Sequence, residues 1–132
     1  MLAALRYFQY GGIMKQEEPL DVGSDQVARY SDMLAAMGAE PRLRIVRMLL
    51  AAHPEGMVVG EIMKALAISP STLSHHLDKL KNEDLVTVER QQTFLRYRVN
   101  VDALRDLLGF FYEECCSRNA VIDLQDVLFC RH

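Results

Sequence analysis

The three cysteines of this chain have the residue type and spacing that point most clearly to specific chemistry. Cys115 and Cys116 are adjacent, and Cys130 follows close to the carboxyl end. Soft thiolates prefer soft, thiophilic ions, and a trivalent arsenic or antimony centre forms three bonds in a pyramid. Three thiolates would saturate such a centre, whereas a mono-substituted organoarsenic(III) needs only the adjacent pair. We therefore expect these cysteines to form a metalloid site.

Other uses of the same thiols stay open. Zinc would need a fourth ligand, such as His132, to complete a tetrahedron. A redox or sulfide sensor would need a Cys116–Cys130 or intersubunit bond, because adjacent cysteines rarely form an unstrained disulfide. A free cysteine can also be a small buried hydrophobe, and this alternative fits Cys115 best. An odd number of cysteines does not suit a secreted disulfide framework, so we expect a reducing, cytoplasmic setting.

A second group of polar side chains lies on one face of a predicted helix from Pro70 to about Asn82. At about 100° per residue, Leu73, Leu77 and Leu80 form the core side of this helix. The other side carries short polar groups, one imidazole and two charges: Ser71, Thr72, Ser74, His75, Asp78 and Lys79. Such donors reach base edges and phosphates at close range. We therefore predict DNA contacts from Ser71, Thr72, Ser74, His75 and Lys79, and a packed structural role for His76.

The surrounding elements are predicted to be mainly helical. The periodicity indicates helices over about 26–38, 41–52, 59–66, 70–82 and 101–118, and Ser69 is the expected N-cap of the fourth. We expect one face of the first helix to be buried through Val27, Tyr30, Leu34 and Met37. We expect the buried face of the second helix to consist of Leu43, Val46 and Leu50.

After Asp84 the hydrophobic period changes to the alternation of strands. LVTVER and FLRYRV form a predicted β-hairpin with Gln91, Gln92 and Thr93 at its tip. A short helix, a three-residue turn, a capped second helix and a hairpin form a winged helix-turn-helix. In this mainly α fold with a small hairpin wing, Arg90, Gln92 and Arg96 are expected to contact DNA.

Composition limits the remaining function classes. The chain has 132 residues with 15 basic and 18 acidic side chains, so its net charge of −3 gives DNA binding no support beyond a local patch. No apolar run is long enough for a membrane span, and the N-terminus does not resemble a signal peptide. We predict no enzyme, because no Cys-x-x-Cys, phosphate loop or nucleophile–base–acid set is present. A protein-interaction module that uses the fold without DNA stays an alternative.

Two stretches carry a family resemblance: AAMGAEPRLRIVRMLL and GEIMKALAISPSTLSHHLDKLKNEDLVTVERQQTFLRYRV. Over roughly Met33 to Val99, the sequence resembles the ArsR/SmtB family of bacterial winged-helix repressors. The resemblance implies a homodimer on an operator with two half-sites, with the first and last helices at the dimer interface. It also implies an inducer, usually a metal ion or metalloid, that weakens the DNA complex.

Three departures from the family pattern qualify these implications. The helix VVGEIMKAL lacks the cysteines of one class of arsenic sensors, the last long helix lacks the Asp/His pattern of the zinc sensors, and the wing tip lacks the usual glycine. We therefore expect sensing at Cys115, Cys116 and Cys130. The expected organisation is an N-terminal extension (1–23), a DNA-binding and dimerisation domain (24–118) and a tail that carries the third thiol (119–132).

Overall fold

The computed structural model describes residues 24–115 and confirms the winged helix-turn-helix fold. The elements follow in the order α1 (Ser24–Met37), α2 (Glu40–Ala51), β1 (Met57–Val58), α3 (Val59–Leu66), α4 (Pro70–Asn82), β2 (Val86–Gln91), β3 (Phe94–Val99) and α5 (Val101–Cys115). A boundary between two compact units falls after Ser31, within α1. The predicted domain limits at residues 23 and 118 lie outside the described residues and stay predictions. None of the described helices is long and apolar enough to cross a membrane.

The helix-turn-helix consists of α3, a short turn and α4, and each end of the turn is capped. Ala67 ends α3 in the left-handed conformation, with φ 54° and ψ 47°, and its N–H donates to the Met63 carbonyl over 2.8 Å. Ser69 begins α4 as predicted, since its Oγ accepts a hydrogen bond from the Thr72 backbone N–H over 3.3 Å. Pro70 follows at the first helical turn, where its missing N–H costs little.

The sheet has three strands in the order β1-β3-β2, all antiparallel. We define the wing as β2, β3 and the two-residue turn 92–93 that joins them. Its register pairs Val86 with Val99 and Gln91 with Phe94. The sequence analysis missed β1, because a strand of two residues has no periodicity of its own and is recognised only by its pairing with β3.

Helix α4 buries the side that the sequence predicted: Leu73, Leu77 and Leu80 are at most 2% exposed. For α2 the prediction was wrong at two of three positions, since Leu43 and Leu50 are 48% and 44% exposed. The buried residues of α2 are Ile45, Val46 and Leu49. Apolar residues surround most of this helix, so its packing on β3 and α4 decides which side is covered.

Helix α1 needs a similar correction. Val27 and Leu34, which were expected in the core, are 51% and 43% exposed. Tyr30 is buried as expected, and Met33 and Ala36 are the other buried residues of this helix. The buried stripe of α1 is therefore rotated from the predicted one, and Leu34 lies on the surface of the described chain.

Candidate nucleic-acid interface

The exposed face of α4 carries every recognition-helix residue that the sequence predicted. Because the three leucines hold the opposite side against the core, this face is turned outward along the whole helix. The five predicted DNA contacts are all exposed: Ser71, Thr72, Ser74, His75 and Lys79. The outward arrangement follows from the geometry of one helix, and it presents short hydrogen-bonding groups to a groove.

The capping bonds at the start of α4 leave a donor for a phosphate. The Ser69 hydroxyl donates to the Thr72 Oγ1 over 2.9 Å while its oxygen accepts from the Thr72 backbone N–H. The proton of the Thr72 hydroxyl is therefore available to another acceptor. Together with the N–H groups and positive dipole of the helix N-terminus, it forms a site suited to a backbone phosphate.

His76 differs from its neighbour His75 in being partly buried and in facing another helix. The Arg42 Nη1 lies 3.5 Å from the His76 Nδ1, and the Arg42 Nε donates to the Ala36 carbonyl. Burial, followed by the charges of Arg42 and His75, lowers the pKa of the His76 imidazole. A neutral Nδ1 can accept the arginine N–H, so this histidine helps to pack α4, as the sequence analysis expected.

The wing arginines divide into two kinds. Arg90 is exposed and forms no hydrogen bond or ion pair with any residue that the structure describes. Arg96 is part-buried: its Nε donates to the Gln91 Oε1 over 2.8 Å, and its Nη1 lies 3.4 Å from the carbonyls of Glu55 and Gly56. The guanidinium of Arg96 therefore ties the wing to the 53–56 loop, whereas that of Arg90 is available to a partner.

Arg98 also supports the wing from within. Its Nη1 donates to the Glu89 carboxylate over 2.6 Å, and its Nε donates to the Pro54 carbonyl over 3.1 Å. This hydrogen bond and charge lower the pKa of Glu89, which keeps the exposed pair ionised. The two arginines explain how a hairpin with a small hydrophobic face keeps a defined position.

One side of the wing is close to α4. Burial and, secondarily, the negative charge of Asp78 on α4 raise the pKa of the Tyr97 hydroxyl on β3. The wing and the recognition helix are therefore neighbouring parts of one surface. The exposed wing residues predicted to contact DNA, Arg90 and Gln92, lie at the far end of this wing.

The sequence analysis did not select Phe94, the first residue of β3. Its side chain is 58% exposed at the wing tip. The sequence did offer a signal for this residue. Phe94 is a large aromatic residue that follows the polar turn residues Gln92 and Thr93, where no core is expected.

The predicted metalloid site falls at the limit of the described chain. Cys115 is the last described residue of α5, and Cys116 and Cys130 lie outside the described residues. Among residues 24–115, no group of three His, Cys, Asp or Glu side chains is placed to hold a metal ion. The cysteine site therefore stays a prediction.

A capped second helix after a short turn, with an outward polar face beside a β-wing, defines a winged helix-turn-helix regulator of transcription. Residues 40–88 match the family described as bacterial regulatory protein, arsR family. With the relatives below, this match shows that the chain belongs to the arsR family of bacterial regulatory proteins.

Two curated relatives show the extent of the similarity. The nodulation protein NolR of Rhizobium meliloti is 36% identical over 76 residues, which cover 58% of this chain and 60% of NolR. The transcriptional activator HlyU of Vibrio cholerae is 30% identical over 87 residues, which cover 66% of this chain and 78% of HlyU. The chain thus spans less than two thirds of the length of NolR.

Solved structures agree with the fold. Reduced HlyU from Vibrio cholerae superimposes with a TM-score of 0.59 at 28% identity, covering 74% of this chain and 100% of HlyU. A structure described as a possible transcriptional regulator for arsenical resistance has a TM-score of 0.56 at 27% identity, covering 74% of this chain and 92% of that chain.

Proposed function

We propose that this chain is a homodimeric regulator that binds double-stranded operator DNA through α4 and the wing, and that it represses transcription. The observation that carries the proposal is the outward face of α4, whose predicted DNA contacts are all exposed while its leucines are buried. Arg90 adds a cation at the wing that forms an ion pair with none of residues 24–115. In this arrangement α4 enters the major groove, and the wing approaches the adjoining backbone.

The surface of α5 supports association with a second copy. Leu108, Phe111 and Tyr112 are 68%, 47% and 43% exposed on one side of this helix. Soluble chains rarely leave neighbouring large apolar side chains in water without a partner. A twofold dimer would place two α4 helices on successive half-sites of a pseudo-palindromic operator.

DNA binding is tested with a duplex selected from a random 30-base-pair pool by the full chain. We expect Lys79→Ala to weaken binding and to reduce the slope of log K against log salt by about 1, because one phosphate contact is lost. Arg47→Ala, an exposed arginine on α2, is the matched control and should leave the slope unchanged. Failure of the full chain to bind any duplex at low salt would favour the protein-interaction alternative.

We further propose that trivalent arsenic or antimony, bound by Cys115, Cys116 and Cys130, is the inducer. The vicinal pair and third thiol suit a pyramidal centre, and a similar solved structure is described as a possible regulator for arsenical resistance. Capture of the metalloid would reshape the end of α5 and alter the spacing of the two α4 helices. A coupling of about 1–3 kcal/mol is typical of allostery and would release DNA substantially.

Arsenite titration of the labelled duplex complex tests the inducer. We expect release from the wild type, accompanied by absorbance of arsenic–thiolate bonds, and no release from Cys116→Ser. Cys130→Ser distinguishes a two-thiol from a three-thiol site. Unchanged release in the Cys116 variant would refute the assignment while leaving DNA binding intact.

The alternative is a thiol-based redox or sulfide sensor on the same fold. The HlyU structure described as reduced favours this candidate, because it identifies that relative by its oxidation state. Mass spectrometry of the full chain after peroxide or sulfide treatment would detect a Cys116–Cys130, intersubunit or mixed species. Release of DNA by these agents and not by arsenite would favour this alternative over the metalloid.

A further inference from the structure

The wing tip carries an aromatic side chain that neither the core nor the helix surfaces explain. Phe94 is 58% exposed, and it is the only large exposed hydrophobic residue on the sheet within residues 24–115. The other large exposed apolar side chains of the described chain lie on α1, α2 and α5. Phe94 therefore needs an explanation separate from dimer formation.

The strand register fixes where this ring lies. Phe94 pairs with Gln91 at the last rung of the β2–β3 ladder, and the turn of Gln92 and Thr93 closes the hairpin beyond it. The neighbours of Phe94 toward the tip and across the ladder, Thr93 and Gln91, are thus polar. By the alternation of β3, Phe94 shares a face of the wing with Arg96 and Arg98, and at the outermost rung its ring is exposed to a partner that approaches the tip.

The distance from α4 to the tip indicates which part of a duplex the ring would meet. Helix α4 contacts β2, and Tyr97, which pairs with Val88 of β2, is three positions along β3 from Phe94. At about 3.3 Å per residue, the tip extends about 10 Å past that point. If α4 lies in a major groove about 12 Å wide, an extension of this length would carry the tip toward the phosphate ridge and the neighbouring minor groove.

The side chains around the tip suit that location. Arg90, exposed and without a partner among the described residues, lies on the adjacent rung, where it pairs with Leu95 in the register. A guanidinium on the phosphate ridge would hold the tip against the backbone. An apolar ring can then contact deoxyribose and base edges in the minor groove or wedge against a flexible base step.

Resting on the proposed DNA-binding function, we propose that Phe94 is a DNA-contacting residue that inserts its ring into the minor groove beside the major groove read by α4. The contact is apolar, so it adds affinity and shape-dependent sequence preference without neutralising a phosphate. Its effect on binding is therefore separable from that of Arg90.

The first test compares salt dependence on the duplex selected by the full chain. We expect Phe94→Ala to weaken binding by about 5- to 150-fold, the range for loss of an aromatic contact with a base, while the salt slope stays unchanged. Arg90→Ala should instead reduce that slope by about 1. Phe94→Leu should restore most of the affinity, because leucine also serves as a minor-groove wedge.

Thr93→Ala is the control at the same tip and should change affinity less than twofold. Thermal unfolding of each variant shows whether the wing stays folded. We expect Phe94→Ala to stay folded, because the ring it removes is exposed. If Phe94→Ala binds as tightly as the wild type, or if its salt slope falls with that of Arg90→Ala, the proposal is wrong. Failure of the wild type itself to bind DNA would instead refute the proposed function.

A second measurement identifies the groove. Replacing each flanking G·C pair by inosine·cytosine removes the amino group of guanine from the minor groove and leaves the major-groove groups in place. We expect the wild type to discriminate between the two duplexes at one flanking position and Phe94→Ala to lose that discrimination. Equal discrimination by both proteins, or none by the wild type at any flanking pair, would overturn the minor-groove assignment.

Discussion

Ala67 ends α3 in a conformation that glycine adopts more readily than alanine. Its φ of 54° and ψ of 47° lie in the left-handed region, where the Cβ crowds the following carbonyl. Most helix ends of this geometry use glycine. The turn between the two helices of the helix-turn-helix therefore contains local strain that the packing of α3 and α4 must offset.

We expect Ala67→Gly to raise the free energy of unfolding by about 1 kcal/mol, because it removes the Cβ from a left-handed position. Urea denaturation measures the change. Ala65→Gly, an exposed position inside α3, is the matched control and should lower stability by about 1 kcal/mol. Equal losses in both variants would show that the turn tolerates alanine without strain.

His76 makes stability depend on pH. Its pKa is below the ordinary value of 6.5 in the folded chain because of burial, Arg42 and His75. The unfolded chain therefore takes up this proton first, and stability falls as the pH drops below about 6.5. Thermal unfolding from pH 8 to pH 5 should show a smaller loss for His76→Gln than for the wild type. The exposed His53→Gln should follow the wild type, and an unchanged slope in the His76 variant would contradict the assignment.

The wing keeps its position through long-range polar contacts and through one close approach of backbone. Arg96 and Arg98 bond to carbonyls of the 53–56 loop more than 39 positions earlier in the chain. Gly56 has a φ of 77°, and a Cβ built there would lie 2.3 Å from the Tyr97 carbonyl oxygen. The position of the wing therefore depends on Gly56, which lets the 53–56 loop lie directly against β3.

Gly56→Ala should lower the free energy of unfolding by about 2 kcal/mol or more, since it adds both a backbone clash and left-handed strain. Chemical denaturation reports the loss, and weakened binding to the selected duplex reports the displaced wing. Gly60→Ala is the control, because a Cβ at that helical position meets nothing within 4 Å. It should be neutral or stabilising by up to about 1 kcal/mol, and similar losses in both would refute the close-approach argument.

At the scale of the whole molecule, the proposed dimer would bind two half-sites through an interface on the apolar side of α5. Leu108 is 68% exposed on that side, whereas Asp106 is about 160° around the helix from it. The described part of the same helix extends to Cys115, so the proposed inducer site and the proposed interface are continuous in the chain. This continuity is the route by which thiol chemistry would alter the spacing of the α4 helices.

Leu108→Glu should shift the chain toward monomer, because a carboxylate would be buried without a partner at the interface. Sedimentation velocity measures the change in mass, and affinity for the selected duplex should fall with it. Asp106→Ala, on the other side of α5, should leave both unchanged. A Leu108→Glu chain that keeps the wild-type mass would place the dimer interface elsewhere.

Local sequence signals determined much of this protein. Ser69 and Pro70 mark the start of α4, and the leucine spacing decides which of its faces is exposed, because helical capping and periodicity act within a few residues. The alternation after Asp84 likewise predicted β2 and β3. The part of the candidate site on α4 could therefore be predicted from the sequence, including the exposure of His75 and Lys79.

Tertiary structure alone decided the rest. It pairs β1 with β3, turns Leu43 and Leu50 outward, and engages Arg96 internally while Arg90 stays available. These outcomes depend on partners far away in the chain, and neither hydrophobic periodicity nor residue type contains that information.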